Sequence, residues 1–155
     1  MQLQQKNESE CIMGEIETRI REIKDELNVF DDAFLKYAFI VELSAYIEPN
    51  QPDLMTDTYL HHGCQSQVWI KYEIENSLFT MKATSDTLII RGILYIMMQL
   101  YNGLTVKEIA GRKIDFLKEC DLTEQFSGAR VNGITGIADT IYAVCCNFLK
   151  TDETS

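Results

Sequence analysis

Cys64 stands in the run Gly63-Cys64-Gln65-Ser66-Gln67, directly after His61 and His62. A cysteine thiolate attacks sulfur and carbon well near neutral pH, and an imidazole beside it can favour the ionised form. The neighbours of Cys64 are amides, a hydroxyl and a flexible glycine, not the apolar company that a merely packed cysteine keeps. A reactive sulfur is therefore the first expectation. The plainer alternative, a small buried hydrophobe, fits Cys145 on the apolar stripe of the last helix, and also Cys120 and Cys146. Cys11, in a polar tail, says little either way.

Two other chemistries use the same residue types. His61, His62 and Cys64 are all zinc-type ligands, but successive residues of an extended chain point to opposite sides. At most His62 and Cys64, or His61 alone, could face one ion, so no built-in metal site is expected. A cysteine-protease arrangement needs a histidine oriented by a separate partner. Both histidines of this chain are beside the cysteine instead.

The elements around Cys64 can be read from periodicity. Val68, Ile70, Tyr72 and Ile74 alternate with Trp69, Lys71, Glu73 and Glu75, the signature of a strand with one face on a core. A tight turn at Glu75-Asn76-Ser77 leads to a returning strand over Leu78 to Thr84. Thr58 to His61 can add a third strand, which makes HHGCQS the tip between two strands. Trp69 then lies opposite Val68 and Ile70, where packing under a helix is expected.

The rest is helical. Ile16, Ile20, Ile23 and Leu27 recur at helical spacing, and a second helix runs from Asp31 or Asp32 to Tyr46, with Phe34, Tyr37, Ala38, Val41 and Ala45 inward. EPNQPDLMTD carries both prolines and is a loop. Ser85 or Asp86 can cap a nearly all-apolar helix reaching Tyr101, closed by Asn102-Gly103. Thr105 and Glu108 form a capping box, opening a short helix that ends near Gly111. A further short helix spans Asp115 to Cys120. Ser127 precedes a long last helix with Ile134, Ile137, Ala138, Ile141, Cys145 and Phe148 at core spacing. The fold class is α+β: a small three-stranded antiparallel sheet packed against helices. Residues 1–14 form a polar tail, and 15–150 one domain that includes an additional N-terminal helix at about 15–28.

Composition sets limits on partners and place. The 155 residues carry 24 acids against 14 bases, a formal net charge of −10. Nucleic acid and anionic membranes would repel such a chain. Five cysteines, an odd number, follow a polar start (MQLQQKNESE) without a secretory pattern. Reduced thiols and a cytoplasmic location are expected. Leu88 to Leu100 is the longest apolar stretch, and Arg91, Gly92 and Gln99 interrupt it; it is too short to span a bilayer.

HGCQSQVWI, then SDTLIIRGILYIMMQLYNG, LTVKEI and FSGARVNGI resemble the SufE family of sulfur acceptors, in the family's order, over about Phe30 to Phe148. The resemblance implies a carrier rather than an enzyme with its own small substrate. Such proteins accept the terminal persulfide sulfur of a cysteine desulfurase, stimulate that enzyme and deliver sulfur for iron–sulfur cluster assembly to a scaffold protein. The family's acceptor matches Cys64. His62, Gly63, Gln65, Ser66, Asp86, Arg130 and Asn132 are expected to support the loop or bind the partner, with helix capping the leading role for Asp86. Pyridoxal phosphate belongs to the desulfurase, and no cofactor is expected on this chain. The family fold is shared with IscU-type proteins, so a metal or cluster scaffold is the alternative, although only Cys64 lies in a suitable loop. Ser127-Gly128-Ala129-Arg130 departs from the family pattern, as do the paired histidines before Gly63. Whether two copies pair as a homodimer is left open.

Overall fold

The computed structural model describes residues 14–153. Cys11 and the remainder of the polar tail lie outside the described residues. Helix α1 (Glu15–Leu27) is followed by α2 (Ala33–Leu43), a 3-10 turn (Ser44–Tyr46) and a three-stranded antiparallel sheet, β1 (Leu60–His61), β2 (Val68–Glu75) and β3 (Leu78–Ser85). Four helices come after the sheet: α3 (Leu88–Tyr101), α4 (Val106–Gly111), α5 (Phe116–Glu119) and the long α6 (Gly128–Glu153). The sheet order is β1-β2-β3.

The hairpin forms where the sequence pattern switches to a period of two. Asn76 and Ser77 both take positive φ, 55° and 63°, which matches the twist of the flanking strands. Along β3, Phe79, Met81 and Ala83 are buried between exposed Thr80 and Lys82. Helix α3 covers this inner face and is itself buried almost all round. The free edge of β3 is closed by the chain that leaves α3. Gly103 N donates to Phe79 O, Phe79 N to Leu104 O, and the Asn102 side chain pairs with both backbone groups of Met81. Thr105 and Glu108 make the expected reciprocal cap at the start of α4.

One expectation about packing is corrected. Helix α2 and the 3-10 turn after it do not turn Phe34, Tyr37 and Ala45 inward; all three are exposed, while Ile40 is fully buried, Ser44 buried, and Phe39 and Leu43 half-buried. The helix is apolar on nearly every side, so its period does not select a face. The decisive feature is on the other helix. A side chain at Gly92 of α3 would collide with the Ile40 backbone, so the two helices touch where α3 has no Cβ. Trp69 is buried, and its register partner on the outer face is Thr84. Thr84 Oγ1 donates to Glu48 O at 3.2 Å, so the proline-bearing loop reaches that face.

Helix α1 is tied on by charge as well as by its apolar stripe of Ile16, Ile20 and Leu27. Arg19 donates to Leu100 O and Asn102 O at 3.0 and 2.7 Å, satisfying carbonyls left free at the end of α3. Arg112, just beyond α4, holds Glu17 of α1 and Glu119 of α5 together. None of the helices among the described residues is long and apolar enough to cross a membrane.

Candidate functional site

Six residues, 62–67, join β1 to β2 and carry Cys64 at their middle. Gly63 adopts φ +102°, a left-handed conformation that side chains resist, although nothing lies within 4 Å of where a Cβ would be. Glycine is needed here for backbone angle, not for room. The far end of the loop is firmly fixed. Gln67 N donates to Asp86 Oδ1 at 3.1 Å, Asp86 N donates to Gln67 O at 3.2 Å, and buried Ser85 Oγ donates to the same carbonyl at 2.7 Å. Thr87 Oγ1 lies 2.7 Å from Ser66 Oγ and 3.0 Å from Asp86 Oδ1, which extends the network into the loop.

The sulfur rests on α6. A Cβ built on Gly133 would come 3.1 Å from Cys64 Sγ, so the helix backbone itself is the floor beneath the thiol. Ile90, Ile134, Ile137 and Arg130 line the small recess around it. Cys64 is half-buried there, and burial pushes its thiol pKa up from the ordinary value. Neither histidine contributes to that shift, so the imidazoles do not supply the expected thiolate stabilisation in this arrangement. In this seat burial favours the thiol over the thiolate. His61 is half-buried with a pKa lowered by burial and by the charge of His62, which is exposed.

Three of the expected site residues meet at the recess with Cys64: Gln65, Ser66 and Arg130. One guanidinium nitrogen of Arg130, Nη1, is buried without a hydrogen-bond partner. Asp86 is not the cap of α3. Thr87 occupies that position, and the Asp86 carboxylate instead binds the backbone at the loop's end. Asn132 is exposed on α6 and makes no side-chain hydrogen bond to the loop. Tyr72 was not singled out by sequence, where it reads as one more inward strand residue. Its hydroxyl is buried without a partner, and burial together with the nearby Cys64 sulfur raises its pKa. Gly133 and Gly136 were equally silent, since glycine inside a helix usually signals only reduced propensity. Cys120 and Cys145 are buried, as their stripe positions predict, and Cys146 is half-buried. Among the described residues no three or more His, Cys, Asp or Glu gather as a metal-holding cluster.

The family model described as SufE, the Fe-S metabolism associated domain, matches residues 21–145. The chain belongs to the SufE family. The match begins inside α1, so part of that helix falls within the SufE domain rather than before it. An uncharacterized SufE-like protein of Rhizobium meliloti (strain 1021) is 28% identical over 123 residues, covering 76% of this chain and 87% of that one. The solution structure of a hypothetical protein from Thermus thermophilus superposes with a TM-score of 0.68 at 13% identity, covering 85% and 96% of the two chains. That likeness bears out the α+β fold. Membership of the SufE family associates the chain with sulfur transfer in iron–sulfur metabolism.

Proposed function

We propose that Cys64 accepts the outer sulfur of a persulfide carried by a cysteine desulfurase, stimulates that enzyme and passes the sulfur to an iron–sulfur scaffold. The observation that carries this reading is the seat of Cys64. It stands on a loop held at one end, on a glycine hinge, half-sheltered against bare helix backbone.

In the transfer the Cys64 thiolate attacks the outer sulfur of the partner's persulfide. A new S–S bond forms on Cys64, the partner's S–S bond breaks, and the partner's inner sulfur departs as thiolate. The proton lost by Cys64 balances the charge gained by that leaving group, and no net oxidation occurs. Because burial raises the thiol pKa, the attacking thiolate forms more readily once the loop leaves the recess. Gly63 provides the backbone freedom, and the recess protects the loaded sulfur from small thiols and oxidants afterwards. Arg130, lining the recess with an unsatisfied donor, is suited to steadying the loop or meeting the partner. Ser66 and Asp86 keep the loop's base in place, and His62 and Gln65, both exposed, are available to the partner surface.

The test is intact mass after incubation with a pyridoxal-phosphate desulfurase and L-cysteine. One added sulfur on the wild-type chain, absent in Cys64→Ser, is expected together with loss of stimulation. Equal sulfur uptake by Cys64→Ser would overturn the reading.

A further inference from the structure

Gly133 and Gly136 are three residues apart on α6 and therefore share one face of the helix. Cys64 Sγ lies over the first of them. His61 Nε2 lies over the second, 3.9 Å from where a Cβ would stand. The end of β1 and the acceptor loop thus approach the helix at two points one turn apart, tightly over Gly133 and with room for a methyl group at Gly136. The strand pairing on this side is slight, since β1 contributes only Leu60 and His61, opposite Trp69 and Val68. The other end of the loop has the network around Gln67 and Asp86. The near end is held by those two pairs, by Ile70 N donating to Tyr59 O at 2.8 Å, and by the approach of His61 to α6.

We propose that His61 is a positioning residue: its neutral imidazole, facing α6 at Gly136, acts with the β1 pairing as a clasp that holds the loop shut over Gly133, and taking up a second ring proton loosens the clasp. This rests on the reading of Cys64 as sulfur acceptor and adds control over when that sulfur is sheltered.

Burial and the neighbouring His62 favour the neutral form of the ring, and the acids nearby are engaged elsewhere. His62, on the same loop, adds like charge when protonated. Arg130 of α6, in the adjoining recess, is a cation. Asp139, the acid nearest to Gly136 along α6, is exposed and paired with Lys113 at 3.5 Å. Tyr72 of β2 carries a neutral hydroxyl, and Asp86 is engaged by Gln67. Among the described residues no carboxylate forms an ion pair with His61. A half-buried imidazolium without a counter-charge is unfavourable. The docked ring consequently has the lower pKa and the released ring the ordinary one near 6.5. Docking is at full strength above the released value and weakens as pH falls through it.

The test labels Cys64 of the full chain with a pyridyl disulfide between pH 5 and 8, with Cys64 quantified by peptide mass. Rates are divided by those of a free peptide spanning residues 59–67, which removes the thiol's own ionisation. In the wild type the ratio should rise about threefold or more from pH 7.5 to 5.5. In His61→Leu, which fills the seat but does not titrate, it should stay flat, while His62→Gln should keep the rise. If His61→Leu does not fold, His61→Gln is also expected to be flat. A wild-type ratio that changes no more than that of the His61 variant overturns the clasp. Sulfur loading at pH 7.5, read by intact mass, separates the two ideas. Normal loading with a flat ratio sinks the clasp alone, and absent loading with a rising ratio sinks the carrier reading alone.

Discussion

The amide of Gln67 and the carboxylate of Asp86 are 3.1 Å apart, and the amide of Asp86 returns a bond to the Gln67 carbonyl at 3.2 Å. This reciprocal pair joins the end of the acceptor loop to the end of β3. Asp86→Ala removes a charge-assisted hydrogen bond at an exposed site, and about 1 kcal/mol of stability should be lost. Urea unfolding gives the magnitude, and hydrogen exchange should show lost protection at residue 67 but not at the β2–β3 hairpin turn. Unchanged protection at 67 would contradict the anchoring role.

Gly133→Ala should separate stability from reactivity. Alanine in the helix interior gains up to about 1 kcal/mol over glycine. The new Cβ would press on Cys64 Sγ at 3.1 Å, and the loop is the part able to move. The melting temperature should hold or rise while alkylation of Cys64 accelerates. A slower alkylation would mean that the sulfur does not rest on this glycine.

At Gly92 the same substitution should be harmful. A Cβ there would come 2.8 Å from the Ile40 carbonyl carbon and 2.9 Å from Ile40 Cγ2, both inside the core. Overpacking of this kind costs about 1–3 kcal/mol, and backbone is slower to yield than a side chain. Calorimetric unfolding should show Gly92→Ala well below the wild type and below Gly133→Ala.

Tyr72→Phe removes a buried hydroxyl that has no partner. Deleting an unsatisfied polar group should leave stability unchanged or raise it by about 1 kcal/mol. Chemical denaturation would decide; a clear loss would mean that the hydroxyl is hydrogen-bonded in solution.

The Cys64 thiol should titrate above a cysteine in an unfolded peptide, because burial disfavours the thiolate. Its raised value means that the docked loop is favoured while the thiol keeps its proton. That contribution is complete below the unfolded pKa and lost as pH rises through the folded one. A pH–rate profile of alkylation should therefore be displaced to higher pH for the folded chain. Coincidence of the folded and denatured profiles would contradict the sheltered geometry.

The hairpin, the capping box at Thr105 and the buried α3 were legible because each is written in local pattern: alternation, a reciprocal cap, a long and mostly apolar run. Helix α2 was misread for the opposite reason. With apolar residues on most sides, its inner face is chosen by the gap at Gly92, which lies far along the chain from Ile40. Cys64 stood out through its polar company, yet the floor beneath it did not. Gly133 and Gly136 reveal their purpose only when the helix and the loop are brought together. Asp86 was legible as a residue with a role, but not which role. A carboxylate at the start of a helix can cap it or reach back to a neighbouring strand, and the choice depends on where Gln67 lies.

The unequal mooring of the acceptor loop limits where its sulfur can travel. With Gln67 held by three bonds and β1 paired through only two residues, a loop lifting from the recess would carry Cys64 on a tether of three residues from Gln67. At about 3.6 Å per extended residue, its Cα reaches no farther than roughly 11 Å from Gln67. A protein delivering or collecting sulfur must bring its own reactive atom inside that arc, so a shallow opening or a mobile arm on the other molecule is a geometric requirement of exchange.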